Sequence, residues 1–503
     1  MSKQLRPSAL FTDGAVLCRG KVIRLFGEAP EGVCVSAALA DAAGKVLAAG
    51  EGTAVDGKFL ISLPPQEAQA GCRLTFTAGT ETAEVGDIAI GDVYLAGGQS
   101  NMELELQYAA EGPETIPDLK DPLLRFFNVP KQAYDDGNEP QFCGTRWHAA
   151  DPENGKYNSA VATLFARKMR QKHPDIPMGI IACYCGGTSV TCWMDEDTLR
   201  EYSEGIRYLD AYEARGGGKP MEVFLWEEKA FRDALAEYDR KVAAYKAEHP
   251  GAGGQEIYEA CGLCPWNPPA GPGSLFRPAG LVHTMLEKIC PVSLTAVLFY
   301  QGEEDTGLTD RYDILFAAMI RLWRRMLRAP ELPFLFVQLP MWLDFGAKDT
   351  FRWPLTRLAQ AAVRDAVRNT GMICLLDEGE YGNIHPVKKR PVGERLAELA
   401  LAMAGEGGNV SPRALDMYAE GDTLAVRLTQ SVKTKDGGAP RLLEIAGEDG
   451  VFVPAEAAIS GSTLRLKAEG IARPVKARYA WTDYSDKVNL FGVNGLPLEP
   501  FSL

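Results

Sequence analysis

The chain has 503 residues, 46% hydrophobic and 24% charged, and a net charge of −14. This length supports more than one well-formed core, and the acidic balance disfavours nucleic acid as a partner because such a surface repels phosphate backbones. No stretch of about eighteen apolar residues offers a membrane span, and the opening MSKQLRPSALF lacks the apolar segment of a secretory leader, so a cytoplasmic location is expected.

Residues 1–90 read as β structure. Val33, Val35, Ala37 and Leu39 alternate with other residues, as do Phe59, Ile61 and Leu63, between glycine and proline turns. Short alternating strands of this kind suggest a β-sandwich-like region. From about residue 91 the pattern changes. Compact apolar runs at 93–96, 179–183, 294–300, 334–339 and 372–376 alternate with helical stretches such as 158–172 and 354–369. Strands apolar at nearly every position suit a parallel sheet covered on both faces. The expected architecture over 91–405 is therefore an α/β domain with a doubly wound, mostly parallel sheet. A helical insertion interrupts it at 196–275, where Phe231, Leu235, Tyr238, Val242 and Tyr245 recur at helical spacing as the stripe of a packed amphipathic helix. From about 406 alternation returns, in Leu424, Val426 and Leu428 and in Val475, Ala477, Tyr479 and Trp481. This tail is expected to be a second β region, either a domain of its own or joined with the first, since both flank one central domain. Eleven scattered cysteines favour reduced thiols. The lone CxxC at Cys261 and Cys264 reads as two thiols in a loop rich in proline and glycine.

In open α/β sheets ligands bind beyond the carboxyl ends of the strands. The first run ends at Gly97, Gly98, Gln99, Ser100 and Asn101, where glycines permit a sharp turn and close approach of a ligand. The second ends at Gly186, Gly187 and Thr188, which is either an ordinary glycine turn or a place where backbone N–H groups hold a negative oxygen. The third ends at Gln301, Gly302, Glu303, Glu304 and Asp305. The glutamine amide can donate to an oxyanion, while the three carboxylates read equally as a solvated turn. After the fifth comes His385, the one histidine of five at a sheet-strand end. His148 lies in a loop, His173 and His249 end charged helices, and His283 lies in an apolar helix pattern. Serine, paired glycines, glutamine and histidine thus follow one another along one sheet edge. A base beside a serine hydroxyl activates it as a nucleophile, and nearby amide donors are what acyl transfer requires.

The blocks AGGQSNME, GGTSVTCWM, YQGEED and GNIHP resemble the serial motifs of the SGNH hydrolases and are more closely similar to the sialate O-acetylesterases. The likeness extends to DGAVLCR at 13–19, to RLLEIAGEDGVFVPAE at 441–456 and to the closing NGLPLEPF, and is weakest in the insertion. The resemblance implies a flavodoxin-like sheet and a serine esterase that removes O-acetyl groups from sialic acids through an acetyl-enzyme, with no metal or organic cofactor. Ser100 resembles the nucleophile and His385 the general base. The Ser100 and Gly187 amides with the Gln301 side chain resemble the oxyanion hole. Gln99, Asn101, Glu303, Arg357 and Gln360 fall on the substrate side, Arg357 as a partner for a sialate carboxylate or as a helix-surface arginine.

The chain departs from the pattern of many SGNH enzymes in having Asn383 and Gly382 where an aspartate precedes the histidine. A Ser–His dyad with a backbone carbonyl, help from Asn383, or an acid from elsewhere such as Asp377 would each replace it. The alternatives in function are an esterase for acetylxylan or another acetylated carbohydrate, and a carbohydrate-binding protein whose catalytic site has decayed. Oligomeric state is not legible in the chain.

Overall fold

One strand of eighteen residues, Glu81–Gly98, organises the molecule. In the computed structural model, which describes residues 4–134, 141–307 and 311–503, its first half pairs antiparallel with Gln69–Ala78 and in parallel with Val16–Cys18. Its second half pairs in parallel with Met178–Tyr184 on one side and Ala296–Tyr300 on the other. From Ile88 onward every residue of it is buried, which is why the sequence IAIGDVYLAGG carries no polar face. The division expected near residue 90 therefore falls inside a continuous strand, and the N-terminal strands join the central ones in one mixed sheet of eleven. A separate three-stranded sheet of Arg6–Pro7, Ile23–Glu28 and Lys58–Leu63 shares the same core. The alternating residues Val35, Ala37, Leu39, Phe59, Ile61 and Leu63 all point into it.

The central part runs Asp121–Asn128, Met178–Tyr184, Glu81–Gly98, Ala296–Tyr300, Phe334–Val337 and Thr370–Ile373, every neighbouring pair parallel. Successive side chains of a strand face opposite sides. Tyr94 and Ala96 accordingly meet helices Ala160–Lys172 and Arg390–Met403, while Val93 and Leu95 share a core with Tyr312–Met326 and Arg352–Ala366. Ser159 caps the first of these helices, its hydroxyl accepting from the Ala162 amide at 3.1 Å. The last strand starts two residues before the expected 372, and Cys374, Leu375 and Leu376 continue as buried chain outside the ladder.

The insertion holds a long helix, Met221–Glu248, with Phe224 as its buried residue. The expected stripe from Phe231 to Tyr245 is half-buried rather than buried, and the helix it packs against, Gly254–Cys261, is short. From Ala414 the chain forms antiparallel sheets. Their core joins Met341, Cys374 and Leu376 of the central region and, among the described residues, none of 1–90, so the tail and the first β region have separate cores. Asp483 of this tail accepts from Trp353 N at 3.0 Å and Thr350 N at 2.6 Å, capping helix Arg352–Ala366.

Trp323 is fully buried against Trp193, Phe299 and Phe334, with ring centroids 5.7–6.1 Å away, and its indole N–H donates to Trp193 O at 3.0 Å. Trp323→Ala should cost about 3–5 kcal/mol in denaturant unfolding followed by circular dichroism. Trp226→Ala, at a site 72% exposed, should stay within about 0.5 kcal/mol of the parent.

Candidate functional site

The paired glycines before Ser100 have separate physical causes. A Cβ on Gly97 would stand 3.1 Å from the Trp323 ring, and Gly98 has φ +126 with Tyr300 O only 2.1 Å from where its Cβ would be. The chain then turns into the four-residue helix Ser100–Glu103. Its polar residues bind the surrounding loops. Gln99 Oε1 accepts from Gly302 N and Glu304 N at 3.3 and 3.4 Å. Asn101 Nδ2 donates to Glu303 Oε1 at 2.6 Å and to Ile384 O at 2.9 Å. Glu103 accepts from Gly186 N at 2.7 Å and from the Lys131 ammonium.

Through Ile384 this anchoring reaches His385, whose Nε2 lies 2.7 Å from Ser100 Oγ. Burial first, then the nearby Lys389 cation, pushes the imidazole down to about 4, with Glu103 opposing. The ring is therefore neutral at physiological pH and can accept the serine proton when Nδ1 carries the hydrogen. Among the described residues none forms a hydrogen bond to Nδ1. Asn383, expected to orient the ring, instead accepts from the His385 backbone amide at 3.0 Å and donates to Glu380 at 2.7 Å. Asp377 is held by both terminal nitrogens of Arg395 at 2.8 and 2.7 Å. Neither carboxamide nor carboxylate touches the imidazole.

Gly187, at φ +71, lies one residue beyond Gly186, whose absent Cβ would stand 3.2 Å from the Ser100 Cβ. The Gly186 amide is committed to Glu103, whereas the Ser100 and Gly187 amides donate to no acceptor among the described residues. Gln301 departs from expectation. Its Nε2 donates to Thr188 O at 3.1 Å and Asp305 Oδ2 at 2.5 Å, and its Oε1 accepts from Tyr312 at 2.6 Å. Both amide hydrogens are thus engaged, leaving none for an oxyanion. The organising group there is Asp305, fully buried and bonded also to Ser189, Val190 and Tyr208.

The remaining candidates are scaffold. Gln99 is 3% exposed, and Gln360 accepts from Leu339 N while donating to Gln301 O and Val337 O. Arg357 is fully buried, donating to Thr482 O and Ala480 O of the C-terminal region at 2.5 and 3.4 Å. It faces the tail, so it is not the carboxylate partner expected. Glu303 is buried, and desolvation raises its carboxyl. Lys389, absent from the expected set, donates from Nζ to Asn101 Oδ1 at 2.6 Å, and burial lowers its ammonium to about 8. The sequence KKR around it reads as a surface run; only its place four residues after His385 hinted at this role.

The other histidines serve local contacts: His148 with Asn158, His173 with Glu406, His249 on Tyr245, His283 with Glu287. A cavity of about 880 Å³ lies around Phe11, Phe26 and Phe59, away from Ser100. Chemistry, not size, marks the candidate site. Beside it a cleft of about 90 Å³ opens at Gly187 and Glu304.

Helices on both sheet faces, with an alcohol, a neutral base and free amides at the strand ends, fit the carbohydrate esterases, and the comparisons agree. The family model described as carbohydrate esterase, sialic acid-specific acetylesterase, matches residues 90–245 and 275–401, and the chain belongs to that family. It is 24% identical to the sialate O-acetylesterase of Rattus norvegicus over 84% of this chain and 79% of the relative. It is 25% identical to the Homo sapiens sialate O-acetylesterase over 84% and 76%. A solved carbohydrate acetylesterase from Xanthomonas citri superposes with a TM-score of 0.77 at 27% identity, covering 99% of both chains.

An NMR titration should give His385 a midpoint near 4, below its ordinary 6.5, and Lys389→Met should raise it by removing the repelling cation. Because folding lowers this pKa, the unfolded chain takes up the proton first. Stability should therefore fall as pH drops from 6.5 towards 4. Gln301→Ala removes a partner from both Asp305 and Tyr312, and should lower stability by about 1–3 kcal/mol in thermal unfolding. An unchanged melting midpoint would return the amide to the oxyanion assignment.

Proposed function

We propose that this chain is a serine esterase that removes O-acetyl groups from sugars, sialic acids foremost, through an acetyl-enzyme. The observation that carries the reading is the 2.7 Å contact between Ser100 Oγ and a neutral His385 Nε2, with the Ser100 and Gly187 amides uncommitted beside it. Ser100 Oγ bonds to the acetyl carbon while its proton passes to Nε2. The carbonyl oxygen takes the negative charge and meets the two amides. The bond to the sugar oxygen then breaks, and His385 returns the proton to that oxygen. Water repeats the sequence on the acetyl-enzyme, releasing acetate and the free serine.

With no side chain among the described residues on Nδ1, the pair works as a dyad. Lys389 disfavours the imidazolium and Glu103 favours it, so the cation is short-lived and returns its proton readily. The sheet supports an SGNH-type assignment. Leaving out the outermost parallel strand Asp121–Asn128, which the antiparallel strand His148–Ala150 flanks, the parallel strands take the order 2-1-3-4-5 of a flavodoxin-like, doubly wound fold. Ser100 follows the strand at which the chain order reverses. The choice of sialic acid rests on the named relatives and on the family.

Ser100→Ala should lower acetate release from O-acetylated sialic acid by at least about a thousandfold while leaving the circular dichroism spectrum unchanged. Retained turnover in that variant would end the serine mechanism. Faster release from acetylxylan than from O-acetylated sialic acid by the parent would move the substrate to plant polysaccharide.

A further inference from the structure

The insertion builds a wall beside Gly187 that none of the motif blocks supplies. Trp266 lies in the segment 246–274, between the two stretches that the family model matches. Its Cζ2 and Cη2 stand 2.4 and 2.7 Å from the position a Gly187 Cβ would occupy, and Phe276 stands 3.0 Å from it. Only a glycine lets the indole come this close to the loop. Trp266 meets Phe276 edge-on, with centroids 5.7 Å apart at 81°, and remains 45% exposed.

The rest of the insertion holds this loop in place. Tyr212 OH both donates to Gly271 O and accepts from Gly271 N, each at 2.9 Å. Phe224, the buried residue of the long helix, packs where a Gly271 Cβ would be, 2.3 Å from its Cδ2. Two anchors on two helices thus fix one loop, and that loop presents an indole to the candidate site.

The cleft between this loop and the sheet is lined by Gly187, Tyr212, Arg215, Trp266, Phe276 and Glu304 among others. Arg215 caps the C-terminus of helix Ser203–Ala214, is exposed, and makes no salt bridge among the described residues. Its charge is felt by Glu304 across the cleft. An aromatic face, a free guanidinium and a carboxyl around one opening suit a ring with an apolar face, an anionic group and hydroxyls. A guanidinium recognises a carboxylate through paired N–H donors in one plane.

We infer that the insertion forms the sugar subsite of the Ser100 centre, Trp266 stacking on the pyranose ring and Arg215 pairing with the carboxylate of an acidic sugar. The inference rests on the deacetylation reading above and deepens it, naming the residues that select an anionic sugar. Arg357 cannot do this from its buried position.

The test separates the two. Calorimetric titration of the Ser100→Ala protein with free sialic acid and with its methyl ester reads binding without turnover. Adding Arg215→Ala should weaken binding of the acid at least about tenfold while leaving that of the ester unchanged, the size of a lost charged hydrogen bond. Adding Trp266→Ala should weaken both. Equal weakening of acid and ester by Arg215→Ala, or binding indifferent to both substitutions, overturns the subsite even where the parent releases acetate from sugars. The expected binding pattern in a protein that releases no acetate upholds the subsite and overturns the deacetylation reading.

Discussion

A short helix with a reactive-type serine at its start is unstable alone; four residues cannot satisfy their own backbone groups. Here the residues flanking Ser100 supply the missing order. Gln99 reaches the 302–304 loop, Asn101 reaches Glu303 and the residue before His385, and Glu103 reaches Gly186. Each polar side chain is buried or half-buried, so each must find a partner or bear the cost of desolvation. Satisfying them draws three loops, far apart in the chain, to one place. The GQSNME block thereby acts as the hub of the site as well as the source of its hydroxyl.

The same logic reassigns Gln301, Gln360 and Arg357. All three lie on apolar-flanked segments near the sheet edge, where a polar residue invites a functional reading. Burial turns them inward instead, onto Asp305, the strand-end carbonyls and the C-terminal region. Electrostatics divides the site accordingly. Buried Glu303 and Lys389, with pKa values pushed in opposite directions by desolvation, share Asn101 behind the serine, while His385 stays neutral in front of it.

Much of this was legible in the residues. Apolar runs located the strands at 179–183, 294–300 and 334–339 to within a few residues, because buried parallel strands have no polar face to blur them. Ser100, Gly187 and His385 stood out because glycine turns and a strand-end histidine are local signals. The outermost parallel strand Asp121–Asn128 escaped notice because Arg125 interrupts its run. That arginine is buried by pairing with Asp87, a partner no local pattern announces. Lys389 was hidden for the same reason, and Trp266 because its meaning lies in a contact with Gly187 far away in sequence.

The strand Glu81–Gly98, bent at Asp87 where φ is +49, has N-terminal partners along its first half and Ser100 just beyond its end. It behaves as a shared beam, not as a hinge between modules. A cut at residue 90 would break this strand in two and bare the apolar core that residues 9–90 share with helix Tyr312–Met326.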